Sequence, residues 1–203
     1  DLSHIHVFDL LLIENDGDTA AYIPELQVKL GDLDFFQNQF VIQQVKLENA
    51  TINLFKDEGE DKYNFQLLFK KNQNVTDITS NYNVLIENVE FINCIFNHRI
   101  LGYNNNINTF DYQYFNLVNL NGSFNQFSIS NKGLFLPSNK LSFLLDNTID
   151  VRDLICEFNL DYNDVSVENI ELKTQKSHLS LASFTYDLKS NDSSHIVYFY
   201  RYN

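Results

Sequence analysis

Apolar and polar residues alternate along most of the chain, and the alternation changes phase at recurring asparagines. Val45 and Leu47 alternate with polar residues, which is the period-two pattern of a strand with one buried face. After Asn49 the apolar set resumes one residue out of phase, at Ala50, Ile52 and Leu54. Such a slip turns the apolar side chains to the other face unless the backbone absorbs it in a bulge or turn. Because Asn tolerates the positive φ of a bulge, we predict a bend at Asn49.

The same pattern recurs further along the chain. The stretches Val84–Phe91 and Val165–Leu172 match the first one position by position, and Val118–Phe124 is a looser copy without the Glu. The alternative is that a chain with 28 asparagines produces such octets by chance. If the copies are structural repeats, the bends recur at the equivalent positions, which are Asn88, Asn121 and Asn169.

The whole chain is predicted to be all-β. The pattern indicates about fifteen short strands, the last at Ile196–Tyr202, and one short helix over residues 64–71 that Asn64 would cap. Pro24 predicts that its strand lies at a sheet edge or contains a bulge, because proline has no N–H to donate to the ladder. No linker divides residues 1–203, so we predict a single β-repeat segment. Open sheets of more than about ten strands curl or split, and the repeated bends favour an elongated, curled antiparallel sheet over a barrel or a sandwich.

Charge and composition exclude several classes of partner. The net charge of −13 offers no basic patch for nucleic acid and no polybasic stretch for anionic lipid head groups. No apolar run reaches the roughly 18 residues of a membrane span, and no signal peptide is present. A chain without Met that opens in mid-pattern is expected to be a fragment, with further sequence on both sides.

The sequence gives little support for catalysis, a cofactor or a metal. Nucleotide-binding, hydrolase and zinc-protease motifs are missing, and we predict no enzyme activity and no cofactor. His4 and His6 share a strand face but have no third partner for a metal. The acidic residues 57–61 form a solvated turn rather than a fixed acid–base pair. Cys94 and Cys156 occupy apolar positions of strands and are predicted to be buried thiols, with a disulfide as the alternative.

Several short motifs point to one family. Leu26–Leu30 is similar to an L-x-V-x-L strand, Ile52–Glu60 to an I-x-L-x-x-x-x-G-E hairpin, and Leu172–Leu179 to an L-x-T-x-x-S-x-L turn. Leu141–Phe143 followed by Val151–Leu154 is similar to an L-S-F … V-x-x-L pair. In their order along the chain these pieces resemble the β-repeat region of the TamB-like, AsmA-superfamily proteins of Gram-negative envelopes, outside the C-terminal domain of that family.

The resemblance implies a taco-shaped β-groove with a hydrophobic interior in the periplasm. Such a groove would conduct phospholipids between the inner and outer membranes, or aid outer-membrane protein assembly with an Omp85-family, TamA-like partner. Attachment to the inner membrane and contact with that partner would use segments outside this sequence. We expect the repeated apolar set to line the groove, namely Val45, Leu47, Ile52, Leu54, Val84, Ile86, Val89, Phe91, Val118, Leu120, Phe143, Phe158, Val165, Val167, Ile170 and Leu172.

Other functions are compatible with the same residues. The lining set would equally serve as the core of an ordinary β-sandwich. An extracellular sandwich or β-helix that binds glycans would expose aromatic side chains, for which the candidates are Tyr103, Tyr112, Tyr114 and Tyr200. A glycan-active enzyme would need a carboxylate pair that the sequence does not offer. A purely structural subunit of an outer-membrane machine cannot be separated from the conducting groove by sequence.

Overall fold

The computed structural model describes residues 3–14, 17–34, 39–57, 64, 83–101, 114–130, 133–161 and 164–187. These residues form strands almost throughout, which confirms the all-β prediction. The ten strands are β1 (His4–Ile13), β2 (Thr19–Asp34), β3 (Gln39–Glu48), β4 (Thr51–Asp57), β5 (Asn83–Leu101), β6 (Tyr114–Ser130), β7 (Gly133–Leu145), β8 (Ile149–Asp161), β9 (Asp164–Thr174) and β10 (His178–Asp187).

All ten strands belong to one sheet. Its order is β1-β2-β3-β5-β6-β7-β8-β9-β10, and β4 continues β3 between β2 and β5. Neighbours are antiparallel except that β3 and β4 run parallel to β5, so the sheet is mixed where we predicted a purely antiparallel one. Parallel neighbours need a connection of a dozen or more residues, and residues 58–82 supply the necessary length. The described strands therefore form neither two sheets packed face to face nor a β-helix.

The described strands are longer than the sequence pattern indicates. The apolar pattern predicts separate strands over Phe110–Leu120 and Gly122–Ser130, whereas β6 runs from Tyr114 to Ser130 and pairs with β5 on both sides of two register shifts. The pattern also predicts a strand over Leu141–Leu145, whereas β7 already begins at Gly133. The phase slips are bends within paired strands and not strand ends. A positive-φ residue redirects the chain there, while the ladder of hydrogen bonds continues on both sides.

A first bend line crosses the sheet from β1 to β6. It is defined by four residues with positive φ, which are Asp9 (54°), Asn49 (55°), Asn93 (52°) and Asn119 (53°). The register aligns them, since Asp9 and Asn49 lie on either side of Pro24 in β2, and Asn49 lies beside Asn93. The bend predicted at Asn49 is confirmed. In the looser repeat, Asn119 and not Asn121 adopts the positive φ.

A second bend line lies about five residues away and crosses the sheet to β10. Its positive-φ residues are Gln126 (56°) and Asn169 (52°), so the bend predicted at Asn169 is confirmed. Asn88 lies on this line without a positive φ, because Gln126 of the neighbouring strand bends instead. Both prolines of the chain lie on the bend lines, Pro24 on the first and Pro137 on the second. Proline has no N–H for the ladder, which suits a position where regular pairing is interrupted.

Burial shows toward which face the sheet bends. At the first bend line Ala50 and Cys94 are fully buried, at 0 % exposure, and both lie on the apolar face. Asn49 and Asn93 are exposed on the opposite face. Small side chains on the inside of a bend and polar ones on the outside mean that the sheet curls toward its apolar face. We call these the inner face and the outer face.

Three sequence predictions concern residues outside the described part. Apart from Asn64, the predicted helix over residues 64–71 lies there, and so does the predicted strand Ile196–Tyr202. Of the tyrosines proposed for glycan binding, only Tyr114 is described, and it is exposed at the start of β6. Cys94 and Cys156 form no disulfide with each other; Cys94 is buried as predicted, whereas Cys156 is only partly buried.

Candidate functional site

The inner face carries one continuous apolar cluster. Ten of its residues are buried, and sixteen more are partly buried and pack against them. The cluster extends from Leu10 in β1 to Leu172 in β9. Because all described strands belong to one sheet, no second sheet covers this face among the described residues. The inner face is therefore the candidate site.

Most of the residues predicted to line a groove lie in this cluster. Five are among its buried members, which are Leu47, Ile86, Val89, Leu120 and Phe143. Five are among its partly buried members, which are Val45, Ile52, Val84, Phe91 and Leu172. The register of the sheet thus brings residues from six strands, which are dispersed in the sequence, together on one face.

The remaining predicted residues are placed as follows. Leu54 is partly buried beside His98 of β5. Phe158 and Val167 are partly buried and face each other across β8 and β9, and Ile170 pairs with Leu181 of β10. The backbone of Val165 pairs with Leu160, and its side chain lies outside the described part.

Val118 is the exception to the predicted pattern. It pairs with Leu144, and its neighbour Leu117 is the residue that belongs to the cluster. The bulge between Val118 and Asn121 shifts the phase of β6. Because the bend falls at Asn119 and not at Asn121, counting the alternation from Asn121 selects Val118 instead of Leu117 as the residue on the inner face.

Sequence reasoning also left several cluster members out of the predicted set. Phe124 and Phe127 lie on either side of the bend at Gln126, so their spacing of three hid their common face. A phase slip in the alternation was the signal that could have found them. Ala21, Ile23 and Val151 gave no such signal, because each lies beside a proline or at a strand end.

The outer face is held at the first bend by a ladder of amides. Asn93 Nδ2 donates to Asn49 Oδ1 at 2.8 Å. The backbone N–H of Asn93 donates to Asn121 Oδ1, also at 2.8 Å, and Asn121 Nδ2 donates to the carbonyl of Asn119 at 2.7 Å. At the second bend Asn88 Nδ2 donates to Asn125 Oδ1 and Asn169 Nδ2 to Glu157 Oε1, both at 3.0 Å. Two of these bonds occupy backbone groups at the first bend, the N–H of Asn93 and the carbonyl of Asn119, and the others join side chains of neighbouring strands.

Asn64 closes an open edge of the sheet. Its Nδ2 donates to the carbonyl of Asn53 at 2.7 Å, and its Oδ1 accepts the N–H of Phe55 at 3.2 Å. Strand β4 pairs with β2 only at its start, so these two backbone groups lie beyond that pairing. The buried amide of Asn64 thus takes the place of a neighbouring strand. This is a different role from the helix cap predicted for it.

Burial shifts the pKa values of two ionisable groups on the inner face toward their uncharged forms. Burial raises the pKa of the Cys94 thiol, whose Sγ lies 3.4 Å from the carbonyl oxygen of Leu47. Burial also lowers the pKa of His98, and the positive charge of Lys56 acts in the same direction. The His98 ring stacks on Phe115 with 4.9 Å between ring centroids. Both groups favour their uncharged forms, which keeps this part of the inner face suited to apolar contact.

Replacing Asn93 with alanine is expected to destabilise the fold by about 2–3 kcal/mol. The change places a residue with a Cβ but no amide in the left-handed region and removes the bond to Asn49. Asn93→Gly keeps the backbone conformation at little steric cost and is expected to lose only about 1 kcal/mol. Urea unfolding followed by circular dichroism measures both. Equal losses for the two variants would contradict the role of the positive φ.

Among the described residues, no three His, Cys, Asp or Glu side chains come together to hold a metal, and His4 and His6 lie exposed in β1. In the same part of the chain no helix has the length and apolar character to cross a membrane. Comparison with protein-family models, curated proteins and solved structures finds no match for this chain.

Proposed function

We propose that the inner face is an apolar trough that holds the acyl chains of phospholipids and conducts them between the inner and outer membranes. One observation carries this proposal, namely a continuous apolar face on a single-layered sheet that bends toward that face at two lines. A closed core would hide such residues in a second layer. Here sixteen members of the cluster are only partly buried.

The dimensions suit a passage rather than a closed pocket. At β5 and β6, where the two bend lines overlap, they lie about five to seven residues apart, which corresponds to a floor roughly 16–23 Å wide. Nine strand positions at about 4.8 Å spacing give an inner face roughly 40 Å long. The strands run across the trough, so its apolar lining continues from one strand to the next without interruption by a turn.

The physical advantage of such a trough is that it shields the acyl chains from water. Exposure of each CH₂ group to water costs about 0.8 kcal/mol, so a two-chain lipid does not cross an aqueous gap unaided. An unbroken apolar lining lowers this cost while a head group stays in water at the rim. Conduction of this kind requires no catalytic group. Assistance in outer-membrane protein assembly with an Omp85-family, TamA-like partner, in the periplasm and with an inner-membrane attachment outside this sequence, is part of the same proposal.

Lipid binding is testable with matched aspartate variants of neighbouring strands. Val167→Asp and Leu172→Asp place a carboxylate on the inner face, whereas Ile155→Asp places one on the outer face, where Ile155 is already exposed. Native mass spectrometry of the protein purified in mild detergent, with lipid extraction, is expected to show bound phospholipid in the wild type and in Ile155→Asp. A carboxylate beside acyl chains costs more than about 1.4 kcal/mol, so the inner variants are expected to lose at least about tenfold in occupancy.

The outcomes separate the proposal from its alternatives. A folded wild-type protein that carries no lipid would contradict the trough and favour an inner face that serves as a core. Equal lipid occupancy in the inner and outer variants would place the lipid elsewhere on the protein. Circular dichroism of each variant establishes that the loss of lipid is not a loss of fold.

A further inference from the structure

A concave space of about 500 Å³ lies on the outer face, in the interior of the sheet. Its lining comes from β6, β7 and β8, which β5 and β9 flank on either side. The side chains of Phe143 and Val151 belong to the inner cluster, so their neighbours in the strands supply the lining on the outer face. The complete lining consists of Asn119, Ser142, Phe143, Leu144, Asp150, Val151 and Arg152.

Two bulges form this space. Between Val118 and Asn121, β6 contains one residue more than β7 contains opposite them. At Arg152, β8 contains one residue more than its neighbour β9, and the register between β7 and β8 shifts at the same level. A bulge changes the direction of a side chain, and bulges are common next to functional sites. Ser142 of β7 thus lies between two strands that leave the regular ladder.

The polar groups around the space have bonding capacity for a ligand. Arg152 is 56 % exposed, and its ion pair with Asp150 is made through Nε at 3.6 Å. The two Nη atoms of its guanidinium group therefore lie outside that contact. No hydrogen bond joins Ser142 Oγ or the side-chain amide of Asn119 to another residue in the described part of the chain.

This set of groups matches hydroxyl groups. Arg152 only donates, Asp150 only accepts, and the hydroxyl of Ser142 and the amide of Asn119 do both. Each hydroxyl of a sugar ring is a donor and an acceptor, and two neighbouring hydroxyls fit the planar fork of a guanidinium or a carboxylate. The partly buried Leu144 adds an apolar surface for the C–H groups of a ring. The volume lies within the range of small-molecule pockets.

Charge favours a neutral ligand over an anion. Arg152 and Asp150 carry opposite charges, and so do Lys140 and Asp153 beside them, which pair at 3.0 Å. An anion would meet Asp150 and the net charge of −13 of the whole chain. We propose that the space binds a neutral saccharide, whose hydroxyl groups bond to Arg152, Asp150 and Ser142. The inner face lies on the other side of the sheet, so this binding is independent of the lipid trough.

An NMR titration of the ¹⁵N-labelled full chain with maltose, cellobiose and chitobiose tests the proposal. Saturable shifts of the backbone amides of Ser142 and Arg152 are expected with at least one of these neutral disaccharides. Hydrogen bonds to charged groups are the stronger ones, so Arg152→Gln is expected to weaken binding at least about tenfold. Ser142→Ala removes a neutral hydroxyl and is expected to weaken it about twofold to tenfold.

Lys173→Gln is the matched control. Lys173 is exposed in β9 beside Asp153 and outside the lining, so this variant removes the same charge from the same face. It is expected to bind the disaccharide as the wild type does. Equal weakening in Lys173→Gln and Arg152→Gln would overturn the proposal, because it would reflect overall charge. Circular dichroism verifies that each variant is folded.

Sodium acetate and Arg152→Lys distinguish a saccharide site from a carboxylate site. Lysine keeps the charge of Arg152 but lacks its planar fork, so Arg152→Lys is expected to weaken saccharide binding nearly as much as Arg152→Gln does. Shifts at Ser142 and Arg152 with acetate and with none of the disaccharides would overturn the saccharide assignment. A folded wild-type protein that responds to none of the four compounds would overturn the site itself.

Discussion

Replacing Gly122 with alanine is expected to lower the free energy of unfolding by more than about 3 kcal/mol. Gly122 lies in β6 with φ at 143°, a conformation that L-residues rarely adopt. A Cβ at this position would overlap the backbone carbonyl oxygen of Lys140 in β7, and it would lie 3.0 Å from Leu141 Cα. Backbone atoms of a paired strand do not move aside as the end of a flexible side chain does. The backbone strain and the steric clash therefore both contribute to the loss of stability.

Gly17→Ala is the matched control. Gly17 also has a positive φ, at 96°, but no atom lies within 4 Å of the Cβ that alanine would add. It therefore carries the conformational cost alone, which is about 1 kcal/mol. Urea midpoints from circular dichroism, at an unchanged slope, compare the two. A similar loss for both variants would show that β6 and β7 do not approach each other closely at Gly122.

Cys94→Asp is expected to destabilise the protein by more than about 3 kcal/mol at neutral pH. The Cys94 side chain is fully buried at the first bend line, and its Sγ faces the carbonyl oxygens of Leu47 and Ile92. A carboxylate there would be desolvated and would face two acceptors. Glu48 would add repulsion, since its charge already helps raise the pKa of the native thiol.

The loss in Cys94→Asp is expected to depend on pH. Desolvation raises the pKa of an acid in the folded state above its unfolded value, so the folded form binds the proton more tightly. Relative to the wild type, the variant is therefore expected to recover stability as pH falls and to lose it as pH rises through the raised pKa. Cys94→Ser retains a donor of similar size and is expected to lose about 1–2 kcal/mol with little pH dependence. A pH-independent loss in Cys94→Asp would mean that the side chain reaches water.

Much of the local structure follows from the sequence. The alternation of Val45 and Leu47, followed by the slip to Ala50 and Ile52, predicted a one-faced strand with a bend at Asn49, and both are present. The equivalent slip predicted the bend at Asn169. Period-two alternation and the tolerance of Asn for positive φ are properties of short segments, so neighbouring residues are enough to specify them.

The sequence did not show which of two neighbouring strands adopts the positive φ at each bend. The octet places Asn88 where Asn49 stands, yet Gln126 in the next strand adopts the positive φ at that level of the sheet. A positive-φ residue in one strand of an antiparallel pair is enough to bend both strands. Which one does so depends on the register between strands that lie far apart in the chain, and the displacement from Asn121 to Asn119 has the same origin. That displacement is why Leu117 rather than Val118 joins the inner cluster.

The sequence by itself determined the β class, the apolar face of most strands and the presence of bends, because these depend on residues within a few positions of one another. The tertiary structure alone decided that the bends align into two lines, that β5 lies parallel to β3 and β4, and that Asn64 closes the edge of β4. It also decided that the sheet curls toward its apolar face. The physical reason is that a bend becomes a fold line only when neighbouring strands bend at the same level, and that level is fixed by backbone hydrogen bonds between residues distant in sequence.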